Sequence, residues 1–119
     1  MRNFRNYNVW VGSMDLVKIV YQITSEFPPS EKFGLISQVR RSAISIPSNI
    51  AEGTSRRSER EFLRFLEISI GSAFELETQL LVAEGLGYLK KENSNMIFNH
   101  LGIVQKQLNS LQVKILHNI

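Results

Sequence analysis

Apolar residues recur along this chain at spacings of three and four, in four blocks separated by proline, glycine and short polar stretches. That period places each block on one face of a helix. In the first block, from about Val9 to Phe27, Trp10, Met14, Val17 and Tyr21 form one stripe, and Leu16, Ile19, Val20 and Ile23 widen it. Pro28 and Pro29 end it, because proline disfavours the helical conformation of the preceding residue and each ring removes a backbone donor. Ser30 is then placed to cap a second helix, with Glu31 in its first turn against the positive end of the helix dipole. Within that helix Phe33, Ile36, Val39, Ala43, Ile46 and Ile50 share one face. Pro47 breaks the local rule and predicts a kink between Ala43 and Pro47, since proline in a helix interior costs about 3 kcal/mol. Gly53 falls where a left-handed residue stops a helix, leaving Thr54 to Arg57 as a short loop.

Ser58 and Glu61 form a Ser-x-x-Glu capping box that opens the third helix. From there Phe62, Leu66, Ser69, Ala73, Leu76, Leu80, Ala83 and Gly87 alternate four and three, a heptad seam that Gly85 and Gly87 close. Small residues gather at its middle, Ser69, Gly71, Ser72 and Ala73, where a neighbouring backbone can come close; simple tolerance of small residues is the other reading. The fourth helix starts between Lys91 and Asn95, with Asn93 or Ser94 as its cap, and carries the seam Ile97, Leu101, Val104, Leu108, Leu111 and Ile115. Short connections imply antiparallel neighbours. The expected fold is all-α, a single-domain antiparallel up-down-up-down four-helix bundle over residues 1–119, with a proline-kinked second helix.

A second apolar line on the third helix, Leu63, Ile70, Phe74 and Leu81, exceeds what one seam buries and predicts a homo-oligomer, with a thicker monomer core as the alternative. At 119 residues and 43% hydrophobic, the chain can bury a core without staples. Cysteine is absent, which excludes disulfides, thiolate metal sites and cysteine nucleophiles. No stretch reads as a secretory signal or a membrane span, so no membrane association and a cytoplasmic location are expected. The net charge of +3 is unevenly spread. Residues 40–64 hold six arginines against Glu52, Glu59 and Glu61, whereas residues 65–87 carry Glu67, Glu75, Glu77 and Glu84 with no base.

The residues assembled above resemble the family known as four-helix bundle proteins, which includes proteins encoded in intervening sequences of bacterial large-subunit ribosomal RNA genes. The resemblance spans roughly residues 10 to 89 and rests on Trp10, Glu31-Lys32-Phe33-Gly34-Leu35, the block Gln38 to Gly53 with its core SIPSNIAEG, and Gly71-Ser72, Glu75-Leu76 and Gly87-Tyr88-Leu89. Ser13, Ile44 and Ser69 stand where the pattern commonly has alanine or valine. The resemblance implies a bundle that assembles into a ring. It also extends to accessory proteins of diversity-generating retroelements, which look like pentameric barrels with a basic surface that binds nucleic acid and a reverse transcriptase.

Candidate chemistry is sparse. A carboxylate-bridged metal site needs Glu-x-x-His pairs, whereas Ile97 precedes His100 by three and Lys114 precedes His117, so no metal, cofactor or catalytic residues are expected. Gly85-Leu86-Gly87 lacks the third glycine and the strand of a phosphate-binding loop. Arg40 or Arg41 is placed to pair with Glu67 or Glu75, across the bundle or between subunits, with phosphate binding as the alternative. Arg56, Arg57, Arg60 and Arg64 run from the loop into the third helix, the last three on one face, and form the candidate nucleic-acid surface. No aromatic stacking platform is evident, so binding is expected to be weakly sequence-specific. Two functions are carried forward. One is a non-enzymatic oligomeric accessory protein binding nucleic acid, RNA in preference to DNA. The other is a structural or protein-interaction module with no nucleic-acid ligand.

Overall fold

A computed structural model describes residues 2–119 and is an all-α four-helix bundle. Helix α1 spans Asn8–Thr24, α2 Leu35–Thr54, α3 Glu59–Gly85 and α4 Lys91–His117; single 3₁₀ turns at Phe4–Asn6 and Pro29–Glu31 precede α1 and α2. Each helix packs on its neighbours in sequence, and α1 also packs on α4. The seams meet in one core: Leu16, Val20, Val39, Ile46, Phe62, Leu66, Leu76, Leu80, Ile97, Leu101 and Leu108 are all buried.

The two prolines shape the α1–α2 corner differently from the sequence expectation. Helix α1 ends at Thr24, short of Phe27, which precedes Pro28, leaves the helix and packs its ring 5.6 Å from that of Tyr88. Ser30 lies within the 3₁₀ turn and caps nothing; the cap of α2 is the Glu31 carboxylate, which accepts the Leu35 backbone N–H at 3.1 Å. Phe33 therefore precedes the helix instead of belonging to its inward face, and is 90% exposed.

Pro47 is buried within α2, which runs unbroken as far as Thr54. Gly53 is a helical residue and not a left-handed stop, since Gly87 alone has positive φ among the described residues. A Cβ on Gly53 would lie 2.8 Å from the Cβ of Phe65, so glycine is required there for the approach of α3. The small residues of α3 serve the same approach: Ser69 donates to the Ile46 carbonyl at 2.9 Å, and the Ser45 and Ser72 hydroxyls bond at 2.7 Å.

Helix α3 begins at its capping serine, with the Glu61 N–H donating to Ser58 Oγ at 3.1 Å. It ends as expected. Gly87, at φ 81°, donates to the Glu84 carbonyl and Tyr88 to that of Ala83, the paired bonds of a Schellman stop. Helix α4 starts at Lys91, within the expected range, but neither Asn93 nor Ser94 caps it. Lys90 occupies the cap position without a side-chain bond, and Ser94, inside the first turn, donates to Glu84 Oε2. Among the described residues no helix is long and apolar enough to cross a membrane.

Candidate nucleic-acid interface

The α2–α3 corner presents the arginine cluster. Because α2 runs to Thr54 and α3 opens at Glu59, Arg56 and Arg57 lie in the connection while Arg60 and Arg64 fall in the first turns of α3. All four are exposed. Arg56 lays its guanidinium 4.7 Å over the Phe65 ring, which fixes its position without neutralising it. Arg57, Arg60 and Arg64 follow the helical repeat, and Arg64 borders an open depression together with Glu67 and Ile68.

The local acids are largely engaged elsewhere. Glu59 pairs with Arg2, a cation that sequence reasoning did not place here, whose guanidinium also lies 4.8 Å over the Phe62 ring. Glu61 accepts the Ser58 hydroxyl at 3.3 Å. Among the described residues the only ion pairs are Arg2 with Glu59 and Lys90 with Glu26, so none of the four corner arginines is bound to a carboxylate.

Arg40 and Arg41 do not meet Glu67 or Glu75 within this chain. Arg40 lies beside the last turn of α1. Its Nε donates to Thr24 Oγ1 at 2.9 Å and its Nη2 to the Tyr21 carbonyl at 3.4 Å, with the guanidinium 4.4 Å over the Tyr21 ring. Those partners are within reach, whereas Glu67 and Glu75 lie on the exposed surface of α3 and Arg41 is itself exposed. The positions of α3 that face this part of α2 are taken by neutral groups, as where Ser42 donates to Gln79 at 2.7 Å.

Two aromatic residues, Tyr21 and Phe33, are exposed, and each ring lies against a cation. The signal for Phe33 was its place between the tandem proline Pro28-Pro29 and Gly34, where the helical period does not hold. His100 donates its Nε2 proton to the Gly12 carbonyl at 3.1 Å, and His117 is exposed in the last turn of α4. Among the described residues no three or more His, Asp or Glu side chains converge to hold a metal ion.

A family model described as 23S rRNA-intervening sequence protein matches residues 5–110. Four solved chains also match. One is described as a protein with unknown function from the S23 ribosomal protein family of Bacteroides thetaiotaomicron VPI-5482. It is 28% identical, with a TM-score of 0.79 over 87% of this chain and 94% of that one. No curated protein matches the chain.

Proposed function

Because the chain belongs to the 23S rRNA-intervening sequence protein family, we propose that it is a non-enzymatic, homo-oligomeric accessory protein of the cytoplasm that binds nucleic acid, RNA in preference to DNA, through the basic corner of Arg56, Arg57, Arg60 and Arg64. The observation that carries this reading is the exposure of all four guanidinium groups with no carboxylate bound to any of them, since fixed cations in water attract a phosphate backbone without reading bases. Repetition of the corner around a ring multiplies that field. Five subunits is the number that the retroelement accessory proteins suggest.

The bundle geometry that goes with this reading is antiparallel, up-down-up-down, and bent at Pro47. Gly53 lies against Phe62, Ile46 against Ser69 and Ser42 against Gln79, pairs whose numbers run in opposite senses. Pro47 cannot donate to the Ala43 carbonyl, which is the physical reason to expect a bend. Phe74 and Leu81, 57% and 50% exposed on α3, support assembly with further copies, and the exposed Glu67 and Glu75 are available for ion pairs with a neighbour. The same two apolar residues favour the second reading, a module that docks another protein and has no nucleic-acid ligand.

Anisotropy titration of a labelled structured RNA, at low and at moderate salt, separates the readings. Binding that weakens steeply with salt and disappears when Arg57, Arg60 and Arg64 are changed to glutamate supports the first. Absence of binding at low salt, with one protein partner retained after nuclease treatment, supports the second.

A further inference from the structure

The face of the bundle between α1 and α2 carries an alternation of cations and rings that neither the arginine corner nor the core accounts for. Three shallow depressions follow one another along it. The first, about 500 Å³, lies among Tyr21, Lys32, Phe33, Arg40, Arg41 and Ile44. The second, about 370 Å³, shares Ile44 and continues past Met14 and Trp10 to Phe4 and Ala51. The third, about 330 Å³, shares Phe4 and Ala51 and ends beside Arg2 and Arg5. Shared walls make them one groove beside the whole of α2, a length of about 30 Å for a 20-residue helix.

No Asp or Glu lines any of the three depressions. Along the groove three of the cations lie against a ring of its own lining: Lys32 Nζ is 5.4 Å from Phe33, Arg40 is 4.4 Å over Tyr21, and Arg5 is 4.4 Å over Phe4. Trp10 extends the last of these, its ring centroid 5.0 Å from that of Phe4. Phe33 is 90% exposed, so the face of its ring opposite Lys32 is open to a planar group. An apolar partner helix would leave Arg41 and Lys32 without counter-charge. A single strand of nucleic acid supplies both things the groove lacks, phosphates for the cations and unpaired bases for the rings and guanidinium planes.

We infer that the α1–α2 groove is a track for single-stranded RNA, with bases stacking on Phe33 and on the Tyr21–Arg40 pair while Lys32 and Arg41 contact phosphates. The inference rests on the nucleic-acid reading above but uses a different face of the bundle, one that requires unpaired bases.

Trp10, the only tryptophan of the chain, reports on the groove directly. The test titrates the full-length protein with a short oligouridylate and with an RNA duplex of equal length, reading Trp10 fluorescence alongside the anisotropy of labelled RNA. The single strand is expected to quench Trp10 and the duplex to leave it unchanged. Phe33→Ala and Tyr21→Ala are each expected to weaken single-strand binding by roughly five- to a hundredfold, the loss of one stacked base. Phe33→Tyr, which keeps a ring, restores it. Phe33 packs so little that its loss leaves the fold intact. Wild-type affinity in both alanine variants overturns the inference. If charge reversal at Arg57, Arg60 and Arg64 then abolishes binding, the corner reading survives alone. Binding of neither RNA at low salt removes both readings, and a drop in oligomer mass for Phe33→Ala without any RNA effect assigns the groove to a second copy of the chain.

Discussion

Gly53 and Phe65 meet with no room for a methyl group between them: a Cβ on Gly53 would stand 2.8 Å from the Cβ of Phe65 and 3.0 Å from Cδ1 of Phe62. The nearest obstacle is fixed to the α3 backbone, so relief requires the two helices to part. Gly53→Ala gains about 1 kcal/mol of helix preference but incurs an overpacking cost of about 1–3 kcal/mol, and we expect a net loss of stability. Gly71→Ala, where nothing lies within 4 Å, should instead gain up to about 1 kcal/mol. Urea midpoints moving in opposite directions for the two variants check the pair.

Ser69 is fully buried in the α3 seam and ties that helix to α2 through its 2.9 Å bond to the Ile46 carbonyl, one residue before Pro47. Ser69→Ala should cost about 1 kcal/mol, the net worth of one buried hydrogen bond. Ser69→Val adds bulk where the Ser45 and Ser72 hydroxyls already touch at 2.7 Å, and should cost more than the alanine variant. Chemical denaturation of both variants gives the order, and a valine variant as stable as wild type would contradict the close approach.

Periodicity carried the bundle because it reports burial: Phe62, Leu66, Leu76, Ile97 and Leu108 are each fully buried where a heptad seam requires it. Punctuation was less legible, because one residue type serves several ends. Gly53 fits a helix stop by type, yet the proximity of Phe65 is what demands it, and that contact depends on how closely α3 packs on α2. Ser30 has the chemistry of a cap but sits in the turn forced by Pro29, so Glu31 takes the role. The corner arginines were visible as a charge cluster. The α1–α2 groove was not, since it joins Phe4, Tyr21, Phe33 and Ala51 from segments that only the fold brings together.

The Tyr88 hydroxyl donates to Glu31 Oε2 at 3.0 Å, and its pKa is held above the ordinary tyrosine value by that hydrogen bond first, with burial and the Glu31 charge adding to it. The folded chain keeps this proton at a pH where the unfolded chain has lost it. The bond therefore contributes its full stability below about pH 10 and loses it as the pH rises from there through the raised folded value. Ultraviolet absorbance during alkaline titration should show one of the three tyrosines ionising late. Glu31→Gln, which keeps the oxygen that caps Leu35, should bring that tyrosine back toward its ordinary range.

If the corner arginines contact phosphates, their number is written in the salt dependence of RNA binding. Each contact to a single strand contributes about 0.7 to the slope of log affinity against log salt, so replacing Arg57, Arg60 and Arg64 by alanine should flatten the slope by about 2 per corner engaged. Arg56→Ala should act differently, because its guanidinium packs 4.7 Å over Phe65 and its loss also uncovers that ring. We expect a slope change of about 0.7 together with a small loss of stability. An unchanged slope in the triple variant would show that the corner makes no phosphate contacts.

Phe74 and Leu81 lie on the outer line of α3, half or more exposed, with nothing in the single chain to cover them. Burying the exposed half of each side chain against a second copy would contribute about 1 kcal/mol per residue, enough that removal of both shifts an assembly equilibrium by more than tenfold. Changing both to glutamate adds charge to a surface already carrying Glu75 and Glu77, so repulsion between copies adds to the lost burial. The double variant is expected to sediment as a 13.6 kDa species at concentrations where the wild type is an oligomer. Its helical circular dichroism should remain that of the wild type, because neither residue belongs to the core that joins the four helices. A wild type that itself sediments at 13.6 kDa, or a double variant that retains the full oligomer mass, would place the assembly surface elsewhere or remove it altogether.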